Sequence, residues 1–251
     1  MRRIFFFYGL ICYFLSVLTV FYLVGFVTNT LVPKSINSGV YTPIWYALLI
    51  DLGLLALFAL QHSVMARRGF KSLWTRLVPE PLERSTYLLL SSAALLLLVW
   101  QWRPLGDVLW DLRGTSWAPL LISLGWLGWL LVFSSTLLLD HFGFLGLRQA
   151  YDQLRNRETP PAEFRTPGLY RVVRHPMYLG FLLAFWFAPI MTLAHFLFAL
   201  GMTGYIWLGM SLEEREMERS FGDRYREYQR RVPRLIPVPW RWLPAEAMAT
   251  K

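Results

Sequence analysis

Apolar residues run through this chain in blocks of about twenty, the length an α-helix needs to cross the hydrocarbon core of a bilayer. Inside lipid, backbone N–H and C=O groups must find partners within the protein, so only helices and closed barrels span it. The blocks are continuously apolar and show no strand pattern, which leaves helices. They fall at about 4–27, 41–65, 85–102 and 118–139. A further run, 177–212, is too long for one ordinary span and carries Pro189, with Thr192 and His195 just beyond. Proline removes a backbone donor and breaks or kinks a helix, so two shorter helices forming a hairpin are expected. The predicted fold class is all-α: a polytopic integral membrane helical bundle of four spans, a C-terminal helical hairpin and a cytoplasmic amphipathic tail helix. A single membrane domain takes in residues 1–251, with 140–176 and 213–251 as its cytoplasmic segments.

Charge sets the expected orientation. The formal net charge is +9, which in a soluble chain would raise nucleic acid as a partner. Here the basic residues sit beside apolar blocks, where positive-inside bias and anionic lipid account for them. Arg2 and Arg3, the loop 66–85 with Arg67, Arg68, Lys71, Arg76 and Arg84, the segment 140–175 and the tail are basic, whereas 28–40 and 103–117 are not. This alternation predicts both termini in the cytoplasm, with membrane lipid and no nucleic acid as partner; a bacterial inner membrane is the expected location. The N-terminal block is too long for the h-region of a signal peptide, and no small-residue cleavage site follows it. Cys12 is the single cysteine, which excludes an internal disulfide.

Residues 168–180 read Gly-Leu-Tyr-Arg-Val-Val-Arg-His-Pro-Met-Tyr-Leu-Gly, at the edge of the last apolar run. Ionisable groups at a membrane border are costly to place and mark functional sites by default. Pro176 suits the first turn of a helix, which sets Arg174 and His175 at an N-terminus that favours an anion such as a carboxylate. The same residues also suit a basic interfacial anchor with a belt tyrosine, and the residues alone leave both readings open. Glu213 and Glu214 follow at the far end of the run. They suit a ribose diol or a cation, or a polar helix extension pairing with Arg215 and Arg219. A hairpin brings these two ends together on the cytoplasmic face.

Other polar residues in or beside spans are Asp51, Gln61, His62, Asp140 and His141. Asp51 falls near the outer border and is expected to be structural, as is His195 in the hairpin turn. Gln61-His62 and Asp140-His141 fall at the inner border, on the side of the proposed site. The histidines are scattered without paired ligand spacing, so no metal site is expected. In the tail, Phe221, Tyr225 and Tyr228 recur at helical spacing. They predict an interfacial amphipathic helix with its aromatic face in lipid, a flap over a ligand site, or both.

Arg174-His175-Pro176-Met-Tyr178-Leu-Gly180, Glu213-Glu214, Phe221-Gly-x-x-Tyr225 and Val232-Pro-x-x-Ile-Pro237 together resemble the isoprenylcysteine carboxyl methyltransferase and phospholipid methyltransferase superfamily. Asp51-Leu-Gly, Ala59-Leu-Gln61-His62-Ser63-Val-Met65-Ala-Arg67, Glu83-Arg84-Ser-x-Tyr87, Asp140-His141-Phe and Gly146-Leu-Arg148-Gln149 narrow the resemblance to its membrane-bound methanethiol S-methyltransferase branch, close to NnrU-like proteins. With these pieces the resemblance covers most of the chain.

The resemblance implies methyl transfer from S-adenosylmethionine to methanethiol, giving dimethyl sulfide. It implies cofactor contacts from Tyr170, Arg174, His175, Tyr178, Gly180, Glu213 and Glu214. A thiolate far outperforms a thiol as nucleophile. His62, His141 and Asp140 are therefore the candidate bases, in that order, with Arg148 a candidate stabiliser of the forming thiolate. The same resemblance leaves room for a prenylcysteine carboxylate or a lipid as acceptor, or for a non-enzymatic NnrU-like membrane protein. Sterol reductases share part of the C-terminal pattern, but this chain lacks their length.

Overall fold

A computed structural model of the chain describes residues 1–160 and 163–238. The predicted cytoplasmic segments therefore lie partly outside the described residues, at 161–162 and 239–251. Among the described residues, ten α-helices and two short strands follow in order: α1 (Arg2–Thr28), α2 (Ile44–Met65), α3 (Arg68–Trp74), α4 (Glu80–Gln101), β1 (Val108–Asp111), α5 (Ala118–Leu139), α6 (His141–Phe144), α7 (Leu147–Leu154), α8 (Pro176–Trp186), β2 (Ile190–Thr192), α9 (Leu193–Phe221) and α10 (Asp223–Arg231). A 3-10 turn, Gly168–Arg171, precedes α8. Among the described residues α1, α2, α4, α5 and α9 are long and apolar enough to cross a membrane. The chain is an all-α polytopic membrane protein.

Helix α4 begins five residues before the predicted apolar edge. Pro81 in its first turn has no N–H to leave unpaired, and Glu80 and Glu83 suit the positive end of the helix dipole. Helix α9 likewise continues past Leu212 through a polar stretch and ends at Gly222, whose φ of 55° and ψ of −129° no residue with a Cβ adopts readily. That glycine turns the chain sharply into α10.

Two short strands are a difference from the strand-free expectation. Helix α8 has 11 residues and rises only ~16 Å, about half a bilayer core. The non-helical chain from Phe187 to Thr192 then turns and ends in the strand Ile190–Thr192, adding less than ~20 Å. Non-helical backbone at this depth must be covered by protein. Strand β1 supplies the cover by pairing antiparallel with β2. Leu112 N–H donates to the Pro189 carbonyl at 2.8 Å, and the Trp110 indole donates to the Ala188 carbonyl at 3.2 Å.

The weakly charged connections meet at this end of the bundle. Thr192 Oγ1 donates to Asn37 Oδ1 at 2.6 Å, and Leu193 N–H donates to the Asp107 carbonyl at 2.8 Å. Asp51 is fully buried here, and its Oδ1 accepts the backbone N–H of Arg103 at 2.9 Å. The basic connections gather at the other end, where Arg68 pairs with Glu216 and donates to Ser220 Oγ.

The main apolar core joins the spans through Phe26, Trp102, Trp129, Phe185 and Phe198. The most extensive helix contact is α5 against α8. It is close because it is built on glycine. A Cβ at Gly128 would lie 2.5 Å from the Gly180 carbonyl oxygen, and one at Gly180 would lie 2.6 Å from that of Gly128.

The tail corrects one expectation. Tyr225 and Tyr228 do not face lipid: both are buried, in a cluster with Phe164 and Val232 against which Phe221 packs. Burial of this aromatic face against the 163–175 segment outweighs exposure to an interface, because that segment supplies a matching ring in Phe164.

Candidate functional site

The site forms where α8 begins and the apolar part of α9 ends. Arg174 and His175 lie in the non-helical stretch just before α8, and their backbone N–H groups donate to the carbonyls of Pro233 and Arg234 at 2.9 and 3.2 Å. The polypeptide after α10 is thereby stitched to the entrance of α8. Pro176 occupies the first turn of α8 and has no donor to satisfy.

The two glutamates behave differently. Arg174 Nε and Nη2 both lie 2.9 Å from Glu214 Oε1, and Nη1 donates to the carbonyls of Gln229 and Val232 at 2.9 and 2.6 Å. His175 Nε2 is 3.0 Å from the same Glu214 oxygen, and Arg234 lies 3.3 Å from Oε2. The Arg174 and Glu214 side chains are only 11% and 12% exposed, so these two charges are spent on each other and on the tail. Glu213 is half exposed. It accepts the Tyr178 hydroxyl at 2.9 Å and stands 3.9 Å from His175 Nδ1. Its carboxylate is the more open of the two. The pairing of these glutamates runs across the fold, not along α9 to Arg215 and Arg219.

Tyr170 lies under the same group. Its carbonyl accepts the Tyr228 hydroxyl, and its own hydroxyl is 3.5 Å from the Ser135 carbonyl. Burial pushes the Tyr170 phenol above its ordinary value, and the charge of Glu213 adds to that. Gly180 is placed differently from the other six predicted cofactor residues: it packs on Gly128 in the α5–α8 contact.

His62 lies deeper, boxed by the rings of Phe58, Tyr87 and Tyr205 at centroid distances of 5.4, 5.1 and 6.3 Å. Ser91 donates its hydroxyl proton to the Tyr87 carbonyl at 2.9 Å. Ser91 Oγ must then accept from His62 Nδ1, 3.1 Å away. That assigns the proton to Nδ1 and leaves Nε2 to accept the Tyr87 hydroxyl at 2.8 Å. Arg84 lies over the Tyr87 ring at 5.1 Å. Tyr205 and Tyr178 both pack against the apolar core that joins the spans.

The second histidine pair lies elsewhere. His141 Nε2 meets the Tyr13 hydroxyl and Nδ1 meets Thr136 Oγ1, both at 3.0 Å, so it joins α6 to α1 and α5. Asp140 caps α6 by accepting Gly143 N–H at 3.0 Å, and its other oxygen takes Arg148 at 2.8 Å. Asp140 and Arg148 are thus partners of each other. His195 Nε2 bonds the Phe185 carbonyl at 2.9 Å in the bundle's interior.

Four residues of the site escaped the sequence reading: Phe58, Ser91, Tyr205 and Arg234. Tyr205 carried a visible signal, as the one tyrosine inside the run 193–212. Ser91 and Arg234 carried none, because a serine in a leucine-rich span and an arginine in a basic tail are ordinary.

The apolar helical bundle, with a mixed acid, base and aromatic cluster where α8 begins and the apolar part of α9 ends, is that of a polytopic membrane protein. The NnrU protein family model matches residues 50–244. Similar chains include methanethiol S-methyltransferase 1 of Bradyrhizobium diazoefficiens, 50% identical over 94% of this chain and 82% of that one. The methanethiol S-methyltransferases of Crocosphaera subtropica and Mycobacterium tuberculosis are 49% and 47% identical, over 92% and 93% of this chain and 90% and 96% of theirs. No solved structure matches. The chain belongs to the NnrU protein family.

Proposed function

We propose that this protein is a methanethiol S-methyltransferase that uses S-adenosylmethionine as methyl donor and releases dimethyl sulfide. The relatives named for that activity cover nearly the whole chain at about half identity. The observation that carries the reading is the inequality of the two glutamates. Glu214 is closed by three partners, while Glu213 is half exposed beside His175 and Tyr178.

The residues fit the donor's groups. Glu213 supplies an anion for an ammonium or a ribose diol. His175 and the N-terminus of α8 suit a carboxylate. The donor, when bound, supplies a methyl group on a sulfonium. Within that reading, Glu213, Tyr178 and His175 bind and orient it, and Arg174 and Glu214 hold those three in place. In the transfer a sulfur–methyl bond forms on methanethiol as the donor's sulfonium–methyl bond breaks, leaving S-adenosylhomocysteine. The thiol proton has to leave. The Tyr87 oxygen accepts it while the Tyr87 proton passes to His62 Nε2, which is already 2.8 Å away. The aromatic box keeps water from the nucleophile, and positioning of this kind reaches effective molarities of about 10⁵–10⁸ M.

The proposed orientation puts the site and both termini on the cytoplasmic side of a bacterial inner membrane, because the site lies at the basic end of the bundle. The test is purified protein with labelled donor and methanethiol, read as volatile product by gas chromatography. Labelled dimethyl sulfide is expected. Donor binding without product, or turnover only with long or prenylated thiols, overturns the assignment of acceptor. No donor binding by calorimetry favours a non-enzymatic role.

A further inference from the structure

Helix α9 carries three glycines after its first turn, and their surroundings differ. A Cβ at Gly201 would press into Leu55 at 2.8 Å, so that glycine serves packing against α2. Gly204 is exposed, and a Cβ there would meet nothing within 4 Å. Gly209 is half buried, and a Cβ there would meet one atom, the Tyr178 hydroxyl oxygen, at 3.8 Å. Helix packing does not require glycine at this position, and glycine weakens a helix interior.

Its place along α9 supplies a reason. Tyr205, Gly209 and Glu213 stand four residues apart and therefore on one face of the helix. Tyr205 packs on His62, and Glu213 takes the Tyr178 hydroxyl. Gly209 thus lies between the donor-side carboxylate and the aromatic box of the base, and the missing side chain leaves room beside Tyr178.

We propose that the bare surface of Gly209, bounded by Tyr205, Tyr178 and Glu213, is the floor of the methyl-acceptor slot and limits the size of the thiol. The inference rests on the methyl-transfer reading above. Gly209 is a specificity-determining residue here, holding no proton and no charge. A slot one small side chain deep admits a thiol of two heavy atoms, and filling it removes that thiol before it disturbs the donor.

The experiment compares the full-length protein with Gly209→Ala, Gly209→Leu and Gly204→Ala in lipid nanodiscs. Alanine at either position raises the melting temperature, because neither Cβ clashes and alanine favours helix. Gly204→Ala keeps unaltered turnover. Gly209→Ala raises the KM for methanethiol at least fivefold, and Gly209→Leu abolishes thiol methylation. Both keep the donor Kd within twofold by calorimetry. A Gly209→Ala protein that is folded, binds donor and keeps the original KM overturns the slot while leaving the reaction in place. Unsubstituted protein that binds donor yet methylates no thiol overturns the reaction, and the slot with it.

Discussion

Arg174 and Glu214, forty residues apart, are joined by two guanidinium contacts of 2.9 Å to a single carboxylate oxygen. Each is largely buried, and the remaining Arg174 donors hold the carbonyls of Gln229 and Val232. This pair is a clamp between α8, α9 and the tail. Removing one partner of a buried pair strands the other charge and costs about 3–5 kcal/mol. Glu214→Ala and Arg174→Ala are therefore expected to lower the melting temperature sharply and to lose donor binding together with it. A folded Glu214→Ala protein of unchanged stability would remove the clamp from this account.

Glu213→Gln is expected to behave in the opposite way. Its side chain is half exposed, so thermal stability changes little. Donor affinity falls about tenfold, equivalent to about 1.4 kcal/mol for a lost charged contact. Tyr178→Phe deletes the hydroxyl that aims Glu213 and weakens donor binding about fivefold, the worth of one hydrogen bond of about 1 kcal/mol. Calorimetric titration reads both. Equal loss of stability in Glu213→Gln and Glu214→Gln would show that the two glutamates do the same work.

His62→Ala is expected to cut turnover by about 10²–10⁴ while leaving donor affinity unchanged, as for a lost general base. Tyr87→Phe breaks the 2.8 Å bond to Nε2 and lowers turnover in the same direction. His141→Ala loses the bonds to Tyr13 and Thr136, about 1 kcal/mol each, and acts on stability instead. Single-turnover rates and melting curves separate the three. If His141→Ala stops turnover in a stable protein, the base has been assigned to the wrong histidine.

Gly180→Leu or Gly128→Leu forces a side chain into a helix contact that lacks room even for a methyl group. Overpacking of this kind costs about 1–3 kcal/mol or more. Activity is expected to fall with it, because α8 carries Tyr178 in its first turn. Cysteine pairs placed across α5 and α8 report the separation directly, by slower disulfide formation. Wild-type crosslinking in Gly180→Leu would mean that the close contact does not hold α8 in place.

Much of the architecture was legible because lipid leaves the backbone so few choices. Block length and the position of the arginines were enough to order the spans and to bring residues 174–178 to the same end as Glu213 and Glu214. The short strands were not legible. They exist because α8 stops at Trp186 and its non-helical continuation needs partners, which come from a loop eighty residues earlier. The tail aromatics were read as facing lipid, as a flap over a ligand site, or as both, since helical spacing reports a face and not what covers it. Phe164 covers it.

At the site, the residue types were visible and their division of labour was not. Two adjacent glutamates are equivalent in sequence. Their side chains point about 100° apart around α9, so one meets Arg174, His175 and Arg234 while the other faces outward with Tyr178. His62 was ranked ahead of His141 as the candidate base, though each lies at the inner end of a span. One is enclosed by Tyr87, Ser91 and Tyr205, and the other by Tyr13 and Thr136.

The sequence by itself determined the class of fold, the order of the spans and the chemical kinds of group gathered at the basic end. Those follow from local composition acting against a bilayer. Only the tertiary structure decided which glutamate is closed and which is open, which histidine shares a helix face with the aromatic box, and that Gly209 leaves room beside Tyr178. Each of these depends on how helices distant in sequence are rotated against one another. That rotation is set by side-chain packing, as where Gly128 meets Gly180, and no single stretch of the chain encodes it.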